Sequence, residues 1–128
     1  MAFLLDTNIV IHLRDGDPVV TDKVAALEGA ILLSIISRVE LEGGVYRDPA
    51  QTGLRRPRLD AILAALPVLA FDEAAADAYR TIVEAVGYSR RKLLDRMIAA
   101  QALVHRATLV TQNPSDFHDV PELEILAW

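Results

Sequence analysis

Apolar and polar positions along this chain switch repeatedly between short runs and a helical repeat. Ala2 to Leu5 is an apolar run that reads as a short buried strand, and Thr7 to Arg14 carries a helix signal. Asp15-Gly16-Asp17-Pro18 stops that helix. A second helix is expected over Val19 to Glu28, ended by Gly29. Ile31 to Ile36 is apolar except for Ser34, the pattern of a strand buried on both faces. Helix resumes over about Arg38 to Tyr46, and Asp48 to Pro57, with two prolines and a glycine, reads as a loop. Leu59 to Leu66 is helical until Pro67 ends it, and Val68 to Phe71 is a third strand. Asp72 then caps a long helix whose apolar stripe is Ala75, Tyr79, Ile82, Val83 and Val86, closed by Gly87. Leu93 to Val104 is apolar almost all round after Arg96, so this helix should be deeply buried. Thr108 to Thr111 and Leu123 to Leu126 complete the strands, with a turn at Asn113-Pro114-Ser115-Asp116.

Strands alternating with helices predict an α/β domain with a mainly parallel central sheet of about five strands. Right-handed crossovers put helices on both faces, giving three layers. In such sheets function sits outside the carboxyl ends of the strands.

Composition narrows the classes. The 128 residues read as a single domain over 1–128, and at 52% hydrophobic they exclude a disordered chain. With no cysteine there is no disulfide scaffold, zinc–thiolate site or cysteine nucleophile. Ala30 to Ile36 is too short for a membrane helix, and Ala61 to Phe71 is broken by Pro67. The opening residues lack a basic start and a cleavable apolar stretch, so a cytoplasmic protein is expected. The net charge of −5 argues against a DNA-coating protein, but it averages over two basic islands. Tyr88 to Met97 holds Arg90, Arg91, Lys92 and Arg96; Arg47 to Asp60 holds Arg47, Arg55, Arg56 and Arg58. Basic islands on an acidic body suit local phosphate contacts.

Four acids fall where the expected topology brings strand ends and helix starts together. Asp6 follows the first strand, Glu40 lies in the first turn after the second, Asp95 opens the buried helix, and Asp116 follows the fourth strand. Carboxylates so gathered repel one another unless some take up protons or a cation intervenes. An all-oxygen set without sulfur suits Mg²⁺ or Mn²⁺, which can polarise a phosphate oxygen and activate a water. Each acid also has a purely structural use. Asp6 can cap the first helix, Ser37-x-x-Glu40 has capping-box spacing, Asp95 suits a helix dipole, and Asp116 suits an Asx-turn. Glu42 stands roughly 200° from Glu40 on a helix, so the two cannot face one metal. His12, His105 and His118 have no metal spacing, Ser34 and Ser37 have no histidine base, and Glu42-Gly43-Gly44 lacks the phosphate-loop motif.

In this order the motifs resemble a known family. Leu4-Leu5-Asp6-Thr7-Asn8 is similar to the opening of a PIN-domain endoribonuclease, and Ser37-Arg38-Val39-Glu40-Leu41 to its second acidic motif. Asp95-Arg96-Met97-Ile98-Ala99-Ala100 resembles the third. Thr108-Leu109-Val110-Thr111-Gln112-Asn113 followed by Asp116-Phe117 resembles the last. The chain also looks like the VapC-type toxins of bacterial type II toxin–antitoxin pairs. That resemblance implies a PIN-like α/β/α sandwich and a Mg²⁺-dependent endoribonuclease, with Mn²⁺ as a substitute ion. Asp6, Glu40, Asp95 and Asp116 would form its catalytic, metal-binding cluster, and Asn8 and Thr111 would hold the acids or water in place. It further implies a homodimer, an RNA substrate and a small VapB-type antitoxin. Arg96 departs from the apolar residue usual at its position and would either contact RNA phosphate, with Arg90 and Arg91, or pair with a neighbouring acid. Two other classes stay open: a non-cleaving metal-binding PIN-like interaction module, and a receiver-type signalling domain using Asp72.

Overall fold

A computed structural model describes all of residues 1–128. Five strands form one sheet: β1 (Ala2–Leu5), β2 (Ala30–Ser34), β3 (Val68–Leu69), β4 (Thr108–Thr111) and β5 (Ile125–Ala127). Their order is β3-β2-β1-β4-β5, and every neighbouring pair is parallel. Six helices cover the sheet: α1 (Thr7–Arg14), α2 (Pro18–Ala25), α3 (Ile35–Arg47), α4 (Thr52–Ala65), α5 (Glu73–Val86) and α6 (Leu93–Val104). None is long and apolar enough to cross a membrane.

The period of two in β1 divides the core. Phe3 and Leu5 face one layer with Ile9, Val10, Leu33, Leu41 and Leu59 from the β2 strand and helices α1, α3 and α4. Leu4 faces the other, with Ile82 of α5, Ile98 and Ala99 of α6, and Leu109 and Phe117. The stripe read on α5 is the one used: Ala75 and Ile82 are buried, and Tyr79 and Val86 pack against the same cluster. The small residues Ala99, Ala100 and Ala102 let α6 lie close to the sheet, as its apolar circumference anticipated.

Several boundaries differ from the sequence reading, each for a local reason. β2 ends at Ser34 rather than Ile36, because the Ser34 hydroxyl caps α3 by accepting from the Ile36 N–H at 3.0 Å. Ser37 therefore lies inside α3, and the capping box does not form. β3 stops at Leu69, two residues early, because the Leu69 and Ala70 carbonyls accept from the buried Gln101 amide. α2 begins one residue early, with Pro18 in its first turn under an Asp17 cap, and ends at Ala25. β5 starts two residues late, at Ile125. The largest departure is α4, which starts at Thr52 inside the expected loop and carries Pro57 within it. Leu59 is fully buried there, and Arg55 and Arg56 tie the helix to α3.

Candidate active site

Strands β1 and β4 lie side by side at the centre of the sheet, and the chain leaves toward opposite flanks from them. Such a switch point opens a crevice at the carboxyl edge. Asp6 stands in it. Its backbone N–H donates to the Val110 carbonyl at 2.9 Å, extending the β1–β4 ladder by one residue. Its carboxylate is then claimed twice. Oδ1 accepts from the Thr7 N–H, capping α1, and Oδ2 accepts from the Thr111 hydroxyl, both at 2.8 Å. The capping use and the clustered use of Asp6 are thus both realised.

Glu40 is held by a relay across two helices. The Thr7 hydroxyl donates to Glu40 Oε1 at 2.8 Å. That spends its only proton, so the Ser37 hydroxyl, also 2.8 Å from Thr7, must be the donor to Thr7. Asp95 lies in the first turn of α6, and Asp116 ends the short 3₁₀ turn Pro114–Asp116 after β4. Asp6, Glu40, Asp95 and Asp116 all line one pocket of about 690 Å³, so the structure brings the four sequence candidates together.

Electrostatics registers their proximity. Burial, and then the charges of Asp6, Asp116 and Glu40, push the Asp95 carboxyl up to about 6 against the opposing pull of Lys92. Burial is also the main cause raising Asp6; the Thr111 and Thr7 bonds oppose it and Asp116 adds to it. The donor set is oxygen only and short of positive charge, which fits a hard divalent cation. Even so, no three of the acids and histidines are drawn into a ready-made chelate; Asp6 and Glu40 are each held back by hydroxyl bonds to their own walls.

The other candidates separate. Asn8 lines the pocket, exposed. Thr111 orders Asp6 directly, and its Oγ1 also accepts from the Asn113 N–H at 2.9 Å. Arg90 and Arg91 are exposed on the turn before α6, outside the pocket lining. Arg96 is 3% exposed and unavailable to a surface phosphate: its guanidinium donates to the Gly87 carbonyl at 2.7 Å and to Asp119 at 2.9 Å. Of the two roles anticipated for it, pairing with an acid is the one seen. Glu42 points away from the pocket and binds Arg56 and Arg38, and the Arg56 bond is the main cause holding its carboxyl low. Asp72 only caps α5, which leaves the receiver reading without its acid cluster. Sequence reasoning missed Thr7 as the bridge between Asp6 and Glu40, and missed Arg14, Gly43 and Gly44 in the pocket wall. It marked Arg47 and Arg55 only as members of a basic island, and both line the pocket.

Comparison with known proteins bears on the family and the fold. The sequence profile of the PIN domain matches residues 3–123. Ribonuclease VapC2 of Rickettsia felis is 29% identical over 134 residues, covering 100% of this chain and 98% of its own. The structure of VapBC2 from Rickettsia felis, bound to a DNA fragment from their promoter, superposes with a TM-score of 0.85 at 27% identity, covering 100% of this chain and 99% of that one. FitAcB from Neisseria gonorrhoeae gives 0.80 at 26%, covering 97% of this chain and 96% of that one. VapBC-1 from nontypeable Haemophilus influenzae gives 0.79 at 25%, covering 100% and 98%.

Proposed function

The chain belongs to the PIN-domain family, and from that premise we propose that it is a metal-dependent endoribonuclease, the toxin of a VapBC-type toxin–antitoxin pair. The observation that carries this reading is the meeting of Asp6, Glu40, Asp95 and Asp116, from four separate elements, in one polar pocket at the sheet's switch point. Residues 1–128 act as one PIN-like domain, in the cytoplasm, as a homodimer held by a small VapB-type antitoxin until release. Exposed apolar side chains on α3 and α4, Val39 at 65%, Tyr46 at 60% and Leu54 at 48%, support a protein partner.

Asp6, Asp95 and Asp116 would hold Mg²⁺ or Mn²⁺. Bound there, the ion supplies Lewis acidity toward a phosphodiester oxygen and makes a water nucleophilic at neutral pH. The chain's own groups do the positioning. Thr111 and the Thr7 N–H fix both oxygens of Asp6. Thr7 fixes Glu40 Oε1, leaving Oε2 to orient the attacking water and accept its proton. The water oxygen would bond to phosphorus in line with the departing ribose oxygen, whose P–O bond would break and which would leave as a hydroxyl on taking a proton from solvent.

The exposed Val39, Tyr46 and Leu54 also fit one second reading, a metal-binding PIN-like interaction module that does not cleave. Calorimetric titration of Mn²⁺ into the purified chain, with RNA cleavage followed in parallel, separates the two. We expect saturable binding that Asp6→Asn and Asp95→Asn each weaken at least tenfold, together with cleavage. Binding without cleavage selects the module, and no binding by the unsubstituted chain defeats the metal-dependent reading.

A further inference from the structure

One face of α3 carries a feature that the four acids do not use. Glu40, Gly43, Gly44 and Arg47 stand at i, i+3, i+4 and i+7, which is a single helix face, and all four line the pocket. The face therefore runs from the acidic end, across a floor without side chains, to a basic end about 10 Å along the helix axis. Glycine is disfavoured inside a helix, and packing does not require it at Gly43: a Cβ there would meet nothing within 4 Å. What it would do is project into the pocket. At Gly44 a Cβ would come 3.2 Å from the Arg14 guanidinium, so this glycine makes room for Arg14.

Two arginines, Arg47 and Arg55, stand at that basic end with their charge unspent. Arg55 reaches from α4 and donates to the Gly44 carbonyl at 2.9 Å, and neither it nor Arg47 is paired with any carboxylate. Arg14, 5% exposed at the end of α1, is already committed: two of its guanidinium nitrogens hold Asp15 Oδ1, at 3.1 and 3.0 Å. Arg38, Arg56, Arg80 and Arg96 are likewise each in an ion pair.

We propose that Arg47 and Arg55, with the bare helix face at Gly43, form a subsite for the nucleotide next to the scissile bond. The arginines hold its phosphate through forked hydrogen bonds, and the bare floor admits its ribose and base. The inference rests on the endoribonuclease reading and names where that substrate lies. A peptide carboxylate would also suit the arginines, but it does not need the floor cleared at Gly43.

The test uses the full chain silenced by Asp6→Asn and a fluorescein-labelled single-stranded RNA of about 12 nucleotides, titrated by anisotropy over a range of salt. We expect Arg47→Ala/Arg55→Ala to weaken binding at least tenfold and to make the log–log salt slope shallower by about one to two. Arg80→Ala, on α5 and outside the pocket lining, should change neither. Gly43→Leu should weaken RNA binding as strongly while the thermal midpoint holds or rises, which a purely structural glycine would not allow. Unchanged affinity and slope in the double variant and in Gly43→Leu overturn the subsite, as does the absence of RNA binding by the silenced chain at low salt. Loss of antitoxin retention in the double variant with RNA affinity intact overturns it in favour of an acidic protein ligand. Cleavage by the otherwise unsubstituted chain separates the two levels: if it cuts RNA with Mg²⁺ and the arginine variants bind and cut as well, only the subsite fails. If it cuts nothing, the endoribonuclease reading fails.

Discussion

Asp6 caps α1 through Oδ1 and takes the Thr111 hydroxyl on Oδ2, so capping leaves its carboxylate in the pocket beside the other acids. That is why its position after the first strand was legible in the sequence. Asp95 and Asp116 were legible in the same way, one opening a helix and the other following a strand, whereas Glu40, expected in a first helical turn, lies one turn further in because α3 starts at Ile35. Thr7 was not legible, because its bond to Glu40 spans 33 residues and exists only once α1 and α3 pack. Thr111→Val removes the donor to Asp6 Oδ2 while keeping the shape of the side chain. We expect metal affinity and cleavage to fall about 10–100-fold with little change in secondary structure, checked by Mn²⁺ titration and circular dichroism. Asp95 predicts a pH effect. Its carboxyl keeps its proton to about pH 6 in the fold but only to about pH 4 unfolded. Between those values the folded chain binds more protons, so stability falls as pH rises, and the loss persists above pH 6. Asp95→Asn should therefore stabilise the metal-free protein at pH 7, on the order of 1 kcal/mol given the partial exposure of the group. It should confer little near pH 4. Thermal midpoints measured in chelator across that range check this, and parallel curves for the two proteins would contradict it.

Among the elements, those with a strong period and a clear stop were readable, and those fixed by long-range contacts were not. α6 has the bounds its sequence announced, because its apolar circumference leaves it nowhere but the core. α4 was misplaced because two prolines and a glycine are loop residues by local preference. Leu59, the Arg55 bond to α3 and the Arg56 pairs with Glu42 and Asp60 outweigh that preference. Pro57 remains a local defect, exposed and without the N–H that would bond back to the Gly53 carbonyl. Pro57→Ala should raise stability by roughly 1–3 kcal/mol, read as a higher denaturant midpoint at unchanged slope. The early end of β3 has a comparable cause. Gln101, fully buried, takes the carbonyls of Leu69 and Ala70, and a glutamine in an apolar helix does not announce its partners.

For the molecule as a whole, alternation of strands and helices was enough to give a parallel three-layer sandwich, but not the strand order. The order β3-β2-β1-β4-β5 puts β1 beside β4 although about 100 residues separate them, and that juxtaposition makes the site. Net charge was equally partial: −5 overall conceals a pocket acidic at one end and basic at the other. On the proposed function, this pocket cleaves RNA with a carboxylate-held ion. The most direct measurement is to incubate the purified chain with total host RNA and Mg²⁺ and to sequence the new RNA ends, beside Asp6→Asn and EDTA controls. Discrete new ends that vanish in both controls are expected. Folded, antitoxin-free protein that produces no such ends, or ends that persist with Asp6→Asn, would contradict that reading.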